Sequence, residues 1–300
     1  MKNKILILLM SCGQPLYKQE EQACRDTFLK DAEAQGIPYF FYSGTDAKET
    51  SMNQEFHTML LPVQDNLGST SLKTIMAFTA ALEMDDWDYI LKTNVSTWLD
   101  IPKIVEAVDK WEGREDRNIY GGRFLANKYS LNAPFPRGNF MILSRSLVTG
   151  IVSQSGKMLL SDRMPRTDDT FLCFSMYYYL QKVCGDNYHD HLMEIPSVNT
   201  WTQQIQNAPE WTDAISIRCK DETVKENTPD NMRKVHELKR SNEQPDKSYR
   251  RPMTIAETRY GVMQYDSYVQ VCMLVDVMKK MKEGTKPPQQ ETQKKSESKT

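Results

Sequence analysis

Asp168 and Asp169, in the run Arg166-Thr167-Asp168-Asp169-Thr170, are suited to moving a proton. They open a segment of helical pattern, where the first-turn dipole favours ionised carboxylates. Held against a hydroxyl, one of them can act as a general base; read blandly, adjacent acids at a helix start are ordinary caps. A second stretch, Asp65–Thr74 (DNLGSTSLKT), combines turn residues with Lys73 in the first turn of the helix that follows. Free backbone N–H groups at a helix start, with a lysine beside them, suit a diphosphate. The other reading is a capped helix with a solvated lysine. The third stretch is Asn94-Val95-Ser96, which follows the apolar strand run Tyr89-Ile90-Leu91. It offers an amide and a hydroxyl, and no carboxylate precedes Asp100. Such a turn is a ligand site, a site that has lost its metal, or only a loop.

Other chemistries find little support. No G-x-G-x-x-G follows the first strand, and no G-x-x-x-x-G-K-[ST] or G-x-S-x-G occurs, which argues against a dinucleotide site, a P-loop and a nucleophile elbow. His189-Asp190-His191 lacks a third metal ligand and reads as a polar loop. The six cysteines form no C-x-x-C pair, and most read as buried thiols in a reducing compartment. A net charge of −2 gives no sign of a nucleic-acid partner. The apolar run Ile5–Met10 is shorter than a signal-peptide core, and no stretch approaches the length of a membrane span. A cytoplasmic protein is expected.

The elements that must position these residues alternate. Apolar strands are expected at Lys4–Ser11, Ile37–Tyr42, Thr58–Val63 and Tyr89–Thr93, and later at Asn118–Phe124, Asn139–Leu143, Met193–Val198 and Ala214–Arg218. Helices are expected at Gln19–Gln35, Ser71–Met84, from Pro102, at Ser144–Ser153 and at Asp168–Val183. This is an α/β pattern, a mixed and mostly parallel central sheet flanked by helices. Asp221–Arg251 reads as loosely structured. Tyr265, Tyr268, Val269, Cys272 and Val275 then mark an amphipathic helix, and from Glu283 the chain lacks the apolar content to fold. Three units follow: 1–220, a helical extension over 221–282, and a tail over 283–300.

Six segments, in order, resemble motifs of the β-1,3-galactosyltransferase and fringe-type glycosyltransferases, which have the GT-A fold. They are Ala23–Ala32 (ACRDTFLKDA), Asp65–Thr74, Tyr89–Ser96 (YILKTNVS), Tyr120-Gly121-Gly122, Arg137–Leu147 (RGNFMILSRSL) and Asp168–Cys173 (DDTFLC). The resemblance spans Lys4 to Arg218. It departs from the family twice. Asn94-Val95-Ser96 stands where the family has the Asp-x-Asp that holds Mn²⁺ against the donor diphosphate. Arg218 stands about where many such enzymes have a late metal-ligand histidine.

The resemblance implies an inverting transferase that moves a sugar from a nucleotide-sugar donor, a UDP-sugar, to a glycan hydroxyl. Asp169 would be the general base, and Asp168 would orient it or bind a sugar. Ser11, Tyr42 and Asp46 would line the nucleoside pocket, with Lys73 and Arg218 near the diphosphate. Asn94 and Ser96 would meet ribose or phosphate, and Gly138 and Asn139 would shape the sugar pocket. No metal ligand is assigned; Mn²⁺ or Mg²⁺, if bound, would sit weakly near Asn94 and Ser96, because hard cations favour carboxylates. Two alternatives stand: a non-catalytic nucleotide- or glycan-binding protein on the same fold, and an unrelated nucleotide-dependent enzyme such as a methyltransferase. The C-terminal helix would pack on its own domain, or meet a membrane surface or a second copy.

Overall fold

The computed structural model describes residues 4–84, 86–111, 118–122, 124–125, 135–136, 138–159, 167–186, 191–195, 197–198, 214–221 and 223–241. The expected C-terminal helix and tail, with Arg166, Arg137, His189 and Asp190, lie outside them.

Ile5–Met10 is a continuous apolar run because it is covered on both faces, and it forms β1 near the middle of the main sheet. β1 pairs in parallel with β2 (Tyr39–Thr45) on one side and with β5 (Tyr89–Asn94) on the other. β4 (Thr58–Pro62) extends the sheet in parallel beyond β2, and the short β3 (Ser51–Asn53) closes that edge antiparallel. Beyond β5 come β10 (Phe140–Ser144), antiparallel to it, then β7 (Tyr120–Gly122) and β11 (Leu192–Glu194). The order is β11-β7-β10-β5-β1-β2-β4-β3, a mixed, mostly parallel sheet as the alternating pattern predicts. A small second sheet joins β12 (Ser197–Val198), β13 (Ser216–Arg218) and β6 (Thr97–Leu99), and β8 (Phe124–Leu125) pairs with β9 (Phe135–Pro136).

Alternation along the strands feeds two cores. Ile5, Ile7, Leu9 and Leu91 pack against α1 (Pro15–Asp26), α2 (Phe28–Ala34), α4 (Ile101–Asp109) and α7 (Thr228–Arg240). Leu6, Leu8 and Ile90 pack against α3 (Thr70–Leu82), α5 (Arg145–Leu159) and α6 (Asp168–Tyr178). Each face carries a full helix layer, which keeps water from the backbone ladder of the central strands.

The elements differ from expectation in three places. The helix expected over Gln19–Gln35 is two helices, α1 and α2, broken at Thr27, whose hydroxyl donates to the Ala23 carbonyl at 2.6 Å. Helix α6 passes into a π-helical segment, Tyr179–Cys184, and ends at Gly185 with a φ of 71°. Within the stretch after Asp221 that is expected to be loose, Thr228–Arg240 is helical, with Pro229 in its first turn. Of its few apolar residues, Met232 and Val235 are fully buried and Leu238 partly so, and Arg233 pairs with Asp26 of α1 at 3.0 Å. Among the described residues no helix is long and apolar enough to cross a membrane.

The carboxyl end of β2 closes tightly on the loop that leads to α3. A Cβ on Gly44 would lie 2.3 Å from the Val63 carbonyl oxygen and 2.9 Å from the Asp65 Cα. Those are backbone atoms, so relief requires moving the loop. Gly44→Ala is expected to cost about 1–3 kcal/mol by overpacking, read as a lower urea midpoint with an unchanged slope.

Candidate functional site

In an open sheet of this kind, ligands bind outside the carboxyl ends of the strands, where the order of connections reverses. That point lies between β1 and β5, because β2 and β4 follow on one side of β1 and β5 on the other.

At the ends of β1 and β2 the organiser is Asp65. Its carboxylate accepts from the Gly13 N–H at 2.7 Å, the Gly44 N–H at 3.2 Å and the Lys73 ammonium at 2.6 Å. Burial pushes this carboxyl up, but Lys73, the Gly13 N–H and the Cys12 thiol outweigh that and hold it below the ordinary carboxylate value. Lys73 is therefore not a solvated lysine. Its side chain is buried and already paired, with its charge shared by Asp65. Ser11 is buried, its hydroxyl bonded to Glu21 and its N–H to the Tyr42 carbonyl at 2.8 Å. Tyr42 is enclosed in the core, its hydroxyl 3.1 Å from that of Thr74, while Asp46 is exposed beyond the strand end.

The turn after β5 is fixed from two sides. The Val95 N–H donates to the Met10 carbonyl at 3.2 Å, which ties the turn to the end of β1. The Cys219 N–H donates to the Ser96 carbonyl at 2.8 Å, and β13 pairs with β6 so that Arg218 sits opposite Thr97. The fold thus brings Arg218 beside the Asn94-Val95-Ser96 turn. Behind the turn, the buried Cys24 thiol points at the Val95 carbonyl at 3.3 Å. Burial pushes the Cys24 and Cys219 thiols well up, so neither is a reactive thiolate. Glu20 is 5% exposed, and burial raises its carboxyl to about 7 against the opposing charge of Lys220.

Asn94 and Ser96 present only neutral oxygens. Among the described residues no group of three or more His, Cys, Asp or Glu could hold a metal ion. That donor set does not fit a divalent cation held by the chain itself, because hard cations take carboxylates.

The two acids at the start of α6 divide their roles. Lys92, with no exposed surface on β5, directs its ammonium to the Asp168 carboxylate and to the Gly138 carbonyl, the latter at 2.7 Å. Asp169 instead accepts from its neighbour, the Thr170 N–H at 2.8 Å and the Thr170 hydroxyl at 3.3 Å. Gly138 lets the strand approach the helix: a Cβ there would lie 3.3 Å from the Asp169 Cβ and 3.4 Å from an Asp168 carboxylate oxygen. Asn139 follows, its carbonyl accepting from the Thr93 hydroxyl at 2.7 Å. Residues 92, 138, 139, 168 and 169 form one cluster over the end of β5.

Sequence reading places Lys92 at the end of a strand, where a polar turn begins, without giving it a partner, and it assigns Asp65, Glu20 and Glu21 no role. A lysine flanked by Leu91 and Thr93 in an otherwise apolar run is the one available sign, since a buried ammonium needs a carboxylate elsewhere in the chain. His191 of the H-x-H pair bonds the Asn118 carbonyl at 2.7 Å and faces Asp186, away from this cluster's residues.

No protein-family model matches the chain, and no curated protein does. Among solved structures, it is similar to a glycosyltransferase involved in the glycosylation of the major capsid of PBCV-1. That likeness has a TM-score of 0.48 and 9% identity, over 77% of this chain and 99% of that one. It is also similar to A197 from STIV, with a TM-score of 0.30 and 12% identity, over 58% of this chain and 78% of that one. Neither likeness carries a residue role to this chain.

Two outcomes follow from these contacts. Lys92→Met strands the Asp168 charge and is expected to cost about 3–5 kcal/mol. Adding Asp168→Asn should recover part of that loss, read as a coupling energy in a double-mutant cycle of urea unfolding. Glu20 has a folded pKa raised above its unfolded one. Its stabilising effect is full below about 4.5 and is lost as pH rises through about 7. Glu20→Gln should therefore match the wild type near pH 4 and exceed its stability at pH 8, by roughly 2–3 kcal/mol.

Proposed function

We propose that the protein is a glycosyltransferase of GT-A type that moves a sugar from a nucleotide-sugar donor, a UDP-sugar, to a hydroxyl of a glycan acceptor with inversion. The observation that carries this reading is the tether between Lys92 and Asp168. It holds a pair of acids over the strand end where a parallel sheet binds its ligands. The resemblance to β-1,3-galactosyltransferases and fringe-type enzymes supports the order of the parts.

In this reading Asp169 is the general base. It takes the proton of the acceptor hydroxyl as that oxygen attacks C1 of the donor sugar. The new C–O bond forms on one face while the bond from C1 to the diphosphate oxygen breaks on the other, and the electron pair leaves with the nucleotide diphosphate. One displacement inverts the configuration. Asp168, neutralised by Lys92, orients the start of α6 rather than accepting a proton. Arg218, beside the turn at Asn94 and Ser96, meets the diphosphate as a planar bidentate donor. Lys73 adds positive charge at the far side of the cleft, tempered by Asp65. Ser11 and Asp46 lie toward the nucleoside, and Gly138 and Asn139 toward the sugar. The neutral Asn94-Val95-Ser96 turn leaves Arg218 to balance charge that a cation would otherwise meet. A cytoplasmic setting suits Cys12, Cys24, Cys173, Cys184 and Cys219, all free thiols.

UDP release tests the reading, measured with a panel of UDP-sugars, a mixture of glycan acceptors and EDTA present. The wild type should release UDP under these conditions. Asp169→Asn should lose at least about 100-fold in rate, the scale of general-base catalysis, while binding UDP as before. Full activity in that variant sinks the base assignment. Binding without any release would make the protein a nucleotide-sugar-binding module instead.

A further inference from the structure

We propose that Asn94 and Asn139 form a paired-amide site that reads one hydroxyl, and that this hydroxyl belongs to the transferred sugar. The inference rests on the glycosyl-transfer reading and names a specificity determinant within it. The antiparallel register sets Phe140 opposite Thr93. Continuing that register one residue beyond β10 sets Asn139, in the turn before the strand, opposite Asn94. Directly opposed residues in such a ladder share a face, and so do residues two apart in a strand. Both amides therefore lie on the face of the sheet that carries Lys92, where Asp168 and Asp169 begin α6.

The Asn94 Oδ1 and the Asn139 Nδ2 are both buried and have no hydrogen-bond partner among the described residues. Asn139 is 6% exposed, whereas Asn94 as a whole is part-exposed. The backbone beneath is fixed by the Thr93 hydroxyl on the Asn139 carbonyl. Native structures seldom leave a buried acceptor or a buried donor unpaired.

The chemistry of the pair selects its ligand. One acceptor and one donor are both satisfied by a single hydroxyl, which donates to the Asn94 Oδ1 and accepts from the Asn139 Nδ2. An ionised phosphate oxygen only accepts, and would leave the Asn94 Oδ1 unpaired. A cation would use that oxygen and face the Asn139 NH₂ protons. Asn94 is thereby assigned to a hydroxyl and not to phosphate. A hydroxyl could come from the ribose or from the transferred sugar. The face shared with Asp168 and the adjoining Gly138 favour the sugar.

Calorimetric titration of UDP, UDP-glucose, UDP-galactose and UDP-N-acetylglucosamine into the wild type, Asn139→Leu and Asn94→Leu tests this. The wild type should bind one UDP-sugar at least about 10-fold tighter than UDP, the scale of a satisfied buried hydrogen bond. Both variants should bind that UDP-sugar no better than UDP, with UDP affinity within about twofold of the wild type. Without ligand, Asn139→Leu should melt about 2–4 °C higher, because an unpaired buried donor has been replaced by an apolar group of similar shape. A sugar increment that survives in both variants overturns the inference, as does a wild type that binds UDP and every UDP-sugar equally. Equal loss of UDP affinity assigns the amides to ribose, and a lower melting point assigns them to packing; either overturns it too. A wild type that binds neither UDP nor any UDP-sugar overturns the glycosyl-transfer reading itself, and this inference with it.

Discussion

A lysine ammonium with no exposed surface must be neutralised where it lies, and in this chain that requirement ties three distant segments together. Lys92 stands on β5, and its partner Asp168 opens α6, 76 residues further on. The Gly138 carbonyl takes another of the ammonium protons. The start of α6 cannot drift from the end of β5 without stranding a charge in the core. The same requirement fixes where Asp169 lies, since it is the next residue in the helix. Packing of α3, α5 and α6 on the sheet supplies the bulk of the burial, but apolar contacts alone set no such exact register between a strand end and a helix start.

The cleft is organised on the opposite principle at its other wall. Asp65 gathers two backbone N–H groups and the Lys73 ammonium around one carboxylate, joining the ends of β1 and β2 to the start of α3. The charges there are engaged before any ligand arrives. The turn between them, Asn94-Val95-Ser96, carries none. A divalent cation finds no carboxylate on it, and Arg218 is delivered to its side by pairing of β13 with β6. The charged group nearest that turn in the strand pairing is thus a guanidinium, a planar group with a fixed fork of donors.

Much of the fold was legible because strands buried on both faces must be apolar throughout. Ile5–Met10 and Tyr89–Leu91 declare themselves, and the helices with apolar residues at helical spacing follow. Helix α7 was not legible: Met232, Val235 and Leu238 are few among charges, and the core they pack on belongs to segments far earlier in the chain. Nor does spacing reveal the break at Thr27, where one side-chain hydrogen bond diverts the backbone. At the site, Asp168, Asp169, Asn94 and Arg218 could be nominated from residue type and order. The bonds of Lys92 and Asp65 could not, because each joins residues that only the tertiary fold brings near. Tyr42 illustrates the same limit, since strand alternation cannot tell a cleft wall from the interior.

The arrangement also gives two adjacent acids different partners. Asp168 and Asp169 are consecutive, so the helix turns their side chains about 100° apart, one toward Lys92 and the other away from it. A carboxylate bound to a buried ammonium has its charge already matched, and protonating it would leave that ammonium unmatched. Asp169 bonds only to neutral donors on Thr170 among the described residues. Environments that differ across a carboxylate pair are how acid and base roles are commonly separated. Here the two environments are made to differ by one lysine, 77 positions earlier than Asp169 in the chain, whose burial is what makes the pairing with Asp168 compulsory.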